Sequence, residues 1–287
     1  MFRIKDIIDP SYPLLEANRT TIESIPRETF TYGPTERHKL DVYHSTLPNL
    51  PTKPPILVFF YGGGFTSGER SSQPSDLVHN NLGAFFASKG IITVIPDYRL
   101  VPSIVFPEGS EDIRDAMTWV VKNLSEGIPN RVSILAHSAG GIHVAGMLFT
   151  PSLFPSTVAS SVRGVALLGV PYELSNYKRP RIHAASLQYY GNLQNIAANQ
   201  PLGLLRRADK AHIASLPHIR NMRAESEPRV ISGGVKTLTR LVGEKGGTIE
   251  ECVLEGHDHL SPILSLSCGS GEEWGDGIVE WINSTGG

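Results

Sequence analysis

The sequence is poor in cysteine, in net charge and in long apolar runs, and each shortage excludes a class of protein. Cys252 and Cys268 are the two cysteines among 287 residues, which provide neither a disulfide framework nor the spacing of a zinc site. The formal net charge of -2 provides no basic field for nucleic acid or an anionic membrane. The longest apolar run, near PILVFFYGGGF, is too short to span a bilayer, and the N-terminal residues lack the apolar core of a signal peptide. We therefore expect a soluble, cytoplasmic protein with no membrane span and no nucleic-acid partner.

Strand-like runs alternate with helical spacing along most of the chain. The predicted strands are PTKPPILVFFY, IITVIPDY, RVSILAHS, RGVALLGVP and TIEECVLEG. Helical spacing is found in LGAFFASKG, in SEDIRDAMTWVVKNLSEG with Ser110 as its predicted N-cap, and in AGGIHVAGMLF, GGVKTLTRLVGEKG and GIVEWIN. This alternation predicts a single α/β domain over residues 1–287, with a mainly parallel sheet covered by helices on both faces.

The alternating pattern breaks between Tyr172 and about Leu216. Pro- and Tyr-rich pieces such as RPRIHAASLQYYGNL and QPLGLLRRADKAH occupy this stretch. A long insertion inside a compact α/β domain is more often functional than idle, and a lid over a binding site is a common role. We therefore expect a small helical cap built from about residues 1–30 and 172–216.

The segment ILAHSAGGIH places Ser138 between small residues, where a predicted strand meets a predicted helix. A nucleophile elbow needs small flanking residues because its turn is strained and neighbouring backbones crowd it. The usual first glycine of that motif is Ala136 here, and alanine is the least intrusive replacement. The alternative is a plain small-residue turn that joins a strand to a helix. The motif favours Ser138 as a nucleophile but does not decide the matter alone.

Three consecutive glycines, Gly62 to Gly64, follow an earlier predicted strand in FFYGGGF. Successive glycines let backbone N–H groups point toward one spot, as an oxyanion hole requires. The alternatives are a flexible loop or a phosphate-binding loop. However, Glu69 and Arg70 stand where GxxxxGK[ST] needs Lys and Ser or Thr, and Ser67 replaces the last glycine of GxGxxG. Both nucleotide-binding motifs therefore fail.

Three motifs in chain order, YGGGF, PDYRLVP and HSAGG, resemble HGGGF/W, DYRLAPE and GDSAGG of the hormone-sensitive-lipase-like branch of the α/β-hydrolases. The resemblance runs from about residue 30 to the C-terminus and implies the α/β-hydrolase fold. Tyr61 replaces the motif histidine and Ala136 the elbow glycine, and neither change removes a catalytic group. By the same resemblance, Asp97 to Arg99 are architectural and brace the loop beside the oxyanion hole.

The resemblance also implies a chain order of serine, acid and histidine. Glu227 precedes Pro228 as the family's aspartate precedes a proline, and Glu225 is the alternative acid. In EGHDHLSP, His259 aligns with the family's histidine, and His257 is interpreted as a surface or supporting residue. A glutamate suits the acid's role, which is to orient the imidazole and stabilise its charge. His137 and His143 are expected to pack or to form hydrogen bonds locally.

The activity implied is hydrolysis of a small or short-acyl carboxylic ester. Ser138 is the predicted nucleophile, His259 the base and Glu227 the acid. The N–H groups expected to receive the oxyanion belong to Gly63, Gly64 and Ala139.

The substrate is expected to be a small molecule, and the candidates for the pocket wall are Phe65, Tyr189 and Tyr190. We expect no cofactor and no metal, since the His-Asp-His run at 257–259 has no further cluster of ligands. Two alternatives remain open. One is an amide hydrolase of the arylformamidase type, and the other is a non-catalytic receptor or binding protein on the same fold.

Overall fold

The computed structural model describes residues 12–48, 53–72, 75–124, 131–175, 177 and 179–284. Within these ranges the strands form one eight-stranded sheet. The strands are β1 (Arg27–Thr31), β2 (Lys39–Tyr43), β3 (Ile56–Phe60), β4 (Ile92–Pro96), β5 (Val132–His137), β6 (Val162–Leu168), β7 (His218–Ala224) and β8 (Ile249–Leu254).

Helices occupy most of the connections between the strands. They are α1 (Arg19–Glu23), α2 (Asn80–Ser88), α3 (Glu108–Asn123), α4 (Ala139–Leu148), α5 (Ser156–Ala159), α6 (Pro180–Tyr190), α7 (Leu193–Asn199), α8 (Pro201–Arg207), α9 (Lys210–Ala214), α10 (Arg229–Glu244), α11 (Ser261–Ser265) and α12 (Glu273–Ser284). Residues 12–17 are also helical, and Pro151–Leu153 form one 3-10 turn. In the described ranges, no helix combines the length and the hydropathy that crossing a bilayer requires.

The strand order across the sheet is β1-β2-β4-β3-β5-β6-β7-β8. The pairs β1–β2 and β2–β4 are antiparallel, and all the other pairs are parallel. Every residue of the two central strands β3 and β5 is buried, which explains their almost continuous apolar sequence. The predicted α/β-hydrolase fold, with a mainly parallel sheet between helices, is confirmed. In such sheets the carboxyl ends of the strands meet at one edge, where ligands bind.

The start of α3 differs from its predicted position. The helix begins at Glu108, directly after Pro107, so Ser110 lies inside the first turn and does not cap it. Ser110 is buried, and a Cβ on Gly146 of α4 would come within 2.2 Å of its hydroxyl oxygen. The hydroxyl therefore packs between two helices. The acidic Glu108 and Glu111 stand near the positive end of the helix dipole instead.

The two segments expected to form the cap have different structures. The insertion after Tyr172 contains the four short helices α6 to α9 before β7 begins at His218. At the N-terminus, residues 1–11 lie outside the described residues, and 12–23 are largely helical. Arg27–Thr31 pairs with β2, so the last part of the expected N-terminal cap segment belongs to the sheet.

Candidate active site

Ser138 lies in the turn between β5 and α4, in a backbone conformation that few residues adopt. Its φ is +51° and its ψ is -120°, and its N–H donates to the carbonyl of Leu168 at 2.9 Å. A Cβ on Gly140 would come within 2.4 Å of the carbonyl oxygens of Phe60 and Tyr61. Position 140 therefore needs glycine, and the crowding is of the kind found at a nucleophile elbow.

His259 and Glu227 stand in line with the Ser138 hydroxyl. Nε2 of His259 is 3.0 Å from Ser138 Oγ, and its Nδ1 is 2.9 and 3.1 Å from the two carboxylate oxygens of Glu227. The Glu227 side chain is 1% exposed and that of His259 is 24% exposed. Glu225, the alternative acid, accepts a hydrogen bond from the N–H of Gly256 instead. The structure thus brings together the three residues of the predicted triad.

Gly169 is a residue of the site that the sequence analysis missed. It follows β6, and its φ is +59°. A Cβ at this position would come within 2.5 Å of Glu227 Oε1 and 3.1 Å of His259 Nδ1. Both the backbone conformation and the space require glycine here, so Gly169 leaves room for the contact between Glu227 and His259. The available sequence signal was a glycine directly after a strand, in ALLGVP.

His137, next to the nucleophile, supports the loop that carries His259. Its Nε2–H donates to the backbone carbonyl of His259 at 2.8 Å, and the two ring centroids are 4.9 Å apart. Burial lowers the pKa of His137 well below the usual range, and the charges of His259 and His79 lower it further, while the hydrogen bond to the His259 carbonyl opposes the shift. His137 is therefore neutral near pH 7 and acts as a hydrogen-bond donor.

The His-Asp-His run at 257–259 forms a turn. The Asp258 carboxylate accepts hydrogen bonds from the N–H groups of Leu260 and Ser261, each at 2.9 Å. His257 Nδ1 lies 3.0 Å from the Ser261 hydroxyl, and burial lowers the pKa of His257. Among the residues described here, no three His, Cys, Asp or Glu side chains are grouped so that they can hold a metal ion. Asp258 and Ser261 fix the shape of the turn that presents His259.

The glycine turn after β3 faces Ser138. A Cβ on Gly62 would come within 2.8 Å of Ser138 Cβ. Gly63 and Gly64 have φ values of +144° and +61°, and their N–H groups donate to no acceptor in the part of the chain that the structure describes. Ala139, the first residue of α4, is buried and lines the same cavity. Gly63, Gly64 and Ala139 therefore lie around Ser138, and the amides of Gly63 and Gly64 are available to a ligand.

Tyr61, which replaces the motif histidine, holds the start of the glycine turn through hydrogen bonds and ring stacking. Its hydroxyl donates to the Asp97 carboxylate at 2.6 Å and accepts from Arg37 at 2.9 Å. Its ring stacks on that of His79, with the centroids 5.0 Å apart. Asp97 also accepts the N–H of Arg70 at 2.7 Å. Asp97 thereby ties the glycine turn to the segment that follows it, as the predicted architectural role requires.

A cavity of about 430 Å³ opens in front of Ser138. Apolar surface predominates in its wall. Besides the glycine turn, Ser138 and His259, its lining includes Phe65, His79, His137, Ile142, Tyr177, Arg179, Arg181, Ile182, Leu260, Ile263 and Leu264. This volume suits a small ligand.

Of the three aromatic residues expected in the pocket wall, Phe65 lines the cavity and two do not. Tyr189 and Tyr190 are buried behind Phe65, with ring centroids 5.2 and 6.4 Å from its ring. Tyr190 also stacks on Phe106. The expectation for the two tyrosines is thus wrong. Both lie on the buried side of α6, and the first turn of that helix reaches the cavity instead.

Comparison with known sequences finds similarity to a carboxylesterase and to a tuliposide A-converting enzyme. The BD-FAE family model matches residues 40–153. The carboxylesterase NlhH of Mycobacterium tuberculosis is 34% identical over 89 residues, which cover 30% of this chain and 26% of that protein. Tuliposide A-converting enzyme 1 of Tulipa gesneriana is 28% identical, over 80% of this chain and 62% of that enzyme. The chain thus spans less than two thirds of the length of these curated relatives.

Solved esterase structures match nearly the whole chain. Esterase B from Lactobacillus rhamnosis superposes with a TM-score of 0.74 and 15% identity, and the match covers 99% of this chain and 96% of that one. A hyperthermophilic esterase from Pyrobaculum calidifontis gives a TM-score of 0.70 and 21% identity, with 97% and 93% covered. At these identities the likeness establishes the fold.

Proposed function

We propose that this chain is an α/β-hydrolase of the hormone-sensitive-lipase-like branch and a serine hydrolase of small or short-acyl carboxylic esters. The observation that carries the proposal is the line from Ser138 Oγ through His259 to Glu227, with spacings of 3.0 and 2.9 Å. An aligned nucleophile, base and orienting carboxylate is the arrangement that acyl transfer requires. The likeness to carboxylesterase NlhH supports the same reaction type.

In the acylation step, Ser138 Oγ attacks the ester carbonyl carbon while its proton moves to His259 Nε2. Glu227 supports this transfer because its carboxylate accepts the Nδ1–H of His259, which leaves Nε2 unprotonated and able to accept. The imidazolium that results is stabilised by a carboxylate that is itself almost fully removed from solvent. The tetrahedral intermediate then collapses, and Nε2 returns the proton to the leaving alcohol.

The negative charge that develops on the carbonyl oxygen needs donors that are already in place. The N–H groups of Gly63, Gly64 and Ala139 are suited to this role because they line the cavity beside Ser138. In comparable sites, removal of one such donor reduces kcat by about 10²- to 10³-fold. In deacylation, water takes the place of the alcohol, His259 accepts its proton, and the acid is released as Ser138 regains its own.

Two alternatives differ from this proposal in the substrate or in the absence of turnover. An arylformamidase uses the same groups but must also position and protonate an aryl amine as it leaves. A receptor on this fold needs no base, whereas His259 lies at hydrogen-bond distance from Ser138. Ester hydrolysis asks the cavity for fewer specific contacts than the formamide does, and we therefore favour it.

The test is an assay of p-nitrophenyl acetate, propionate and butyrate beside N-formylkynurenine. We expect each ester to give a higher kcat/KM than the formamide. A tenfold preference for N-formylkynurenine would move the assignment to a formamidase with the same three residues. The absence of turnover on every compound would favour the receptor.

A further inference from the structure

The cavity wall opposite the sheet carries positive charge that ester cleavage alone does not use. Arg179 and Arg181 flank the first residue of α6, and both line the same cavity as Ser138. Both side chains are exposed. Arg181 reaches the hydroxyls of Thr66 and Ser67 at 3.1 and 3.4 Å. Within the described residues, neither guanidinium forms an ion pair with a carboxylate, so both retain donors for a ligand.

Tyr177 adds a buried donor beside this arginine pair. The residue is 7% exposed and lines the cavity, and its hydroxyl has no hydrogen-bond partner among the residues that the structure describes. Burial raises the pKa of Tyr177, Arg179 lowers it and Glu227 raises it, so the hydroxyl lies within electrostatic reach of both charges. The phenol keeps its proton near pH 7 and can donate a hydrogen bond.

The described residues of the cavity wall include no carboxylate, although Glu227 lies behind it within electrostatic reach of Tyr177. A carboxylate is the natural partner of a guanidinium, which can donate to both of its oxygens at once.

We propose that the preferred esters of this enzyme carry a carboxylate, which Arg179, Arg181 and Tyr177 bind while Ser138 attacks the ester carbonyl. The inference rests on the proposed ester hydrolysis and names the substrate class for it. Because the carboxylate is present both in the bound substrate and in the transition state, this contact acts mainly through KM. Neutral short-acyl esters remain substrates without this contribution.

The test compares two acidic esters with their neutral methyl esters. The acid of 4-nitrophenyl hydrogen glutarate is on the acyl side, and its reference is methyl 4-nitrophenyl glutarate. The acid of 4-(butanoyloxy)benzoate is on the leaving group, and its reference is methyl 4-(butanoyloxy)benzoate. For at least one pair we expect the acidic ester to have about tenfold higher kcat/KM than its reference, as charge-assisted bidentate contacts support. A preference in the glutarate pair would show that the acyl group faces α6, and a preference in the benzoate pair would show that the leaving group does.

Variants assign that preference to the three residues. The double variant Arg179→Gln with Arg181→Gln is expected to lower the ratio of acidic to neutral kcat/KM about fivefold, with most of the change in KM. Tyr177→Phe is expected to lower it about threefold, the lower end of the net contribution of one hydrogen bond that competes with water. The control Arg206→Gln alters an exposed arginine of α8 that does not line the cavity, and the ratio is expected to stay constant.

Two results would overturn the inference. One is a ratio at or below one for both pairs, and the other is a preference for the acid that survives all these substitutions. In either case, turnover of the two methyl esters would leave the proposed ester hydrolysis standing. If the wild-type enzyme hydrolysed none of the four esters, the proposed function itself would fail.

Discussion

The two walls of the cavity are built on different principles. On the sheet side, Ser138, Glu227 and His259 stand on turns that follow β5, β7 and β8, and they are held by hydrogen bonds to one another. On the other side, at the start of α6, Arg179 and Arg181 are exposed and retain donors for a ligand. Bond making needs a fixed geometry, which buried turns at strand ends supply. Selection among substrates needs side chains that can adjust to different ligands, and the exposed arginines at the start of α6 can do so.

The largest expected effect is on the sheet side and comes from Ser138→Ala. Without the nucleophile, we expect kcat for p-nitrophenyl butyrate to fall about 10⁴- to 10⁶-fold, with an unchanged thermal unfolding midpoint. The matched control is Ser72→Ala, which alters another serine of the cavity wall. If Ser138→Ala kept more than a tenth of wild-type turnover, the sheet side would not hold the nucleophile.

The second prediction separates two carboxylates that are two residues apart in the sequence. Glu227→Gln is expected to lower kcat about 10⁴-fold, because an amide in that place no longer fixes the tautomer of His259. Glu225→Gln is expected to retain most activity, since Glu225 accepts only from Gly256. Steady-state kinetics of the two purified variants decide the matter, and the opposite ranking would assign the acid to Glu225.

The third prediction concerns the crowded space between acid and base. Gly169→Ala places a methyl group against Glu227 and His259, and we expect kcat to fall about 100-fold, the scale of a displacement of about 1 Å. The control is Gly233→Ala in α10, where an added Cβ meets nothing within 4 Å. Equal kcat values for the two variants would show that Glu227 and His259 can be displaced without loss of activity.

The smallest expected effect is on stability in acid. Burial lowers the pKa of both His79 and His143 to about 4, and of His137 well below its usual range. The unfolded chain takes up these protons near pH 6.5, so stability is constant above that pH and is lost as the pH falls toward 4. We expect a loss of about 2 kcal/mol for each histidine at pH 5.

Urea unfolding at pH 7.5 and pH 5 measures this loss. His143→Gln should reduce the difference between the two pH values, because it removes one buried histidine. His183→Gln alters a half-buried histidine in the first turn of α6 and should leave the difference unchanged. Equal free energies of unfolding at both pH values for the wild type would contradict the prediction.

The features predictable from the sequence are those that a short segment carries by itself. The apolar runs of β3 and β5 and the small residues around Ser138 report local burial and crowding, and the observed fold agrees with them. The choice of Glu227 and His259 needed the family resemblance, because 32 residues separate them and their contact depends on how β7 and β8 pair.

Other features were missed for reasons that are also physical. The strand β1, with the sequence RETFT, is mostly polar and exposed at an edge of the sheet, so it has no apolar run to detect. The position of Tyr189 and Tyr190 behind Phe65 depends on which side of α6 faces the core, and that side is set by tertiary packing. The role of Gly169 follows from a contact between two other residues, which no local pattern records.

The hydrogen bond from His137 to the carbonyl of His259 has a consequence for how the enzyme loses activity. The N–H of Ser138 donates to the carbonyl of Leu168 at the end of β6, and the N–H of Gly169 donates to the carbonyl of Met222 in β7. The turns that bear Ser138 and His259 are thus linked in one network across neighbouring strands. Groups that are linked in this way open together as one cooperative unit. Their amides should therefore exchange with solvent deuterium at a shared rate, so that partial opening inactivates the whole site at once.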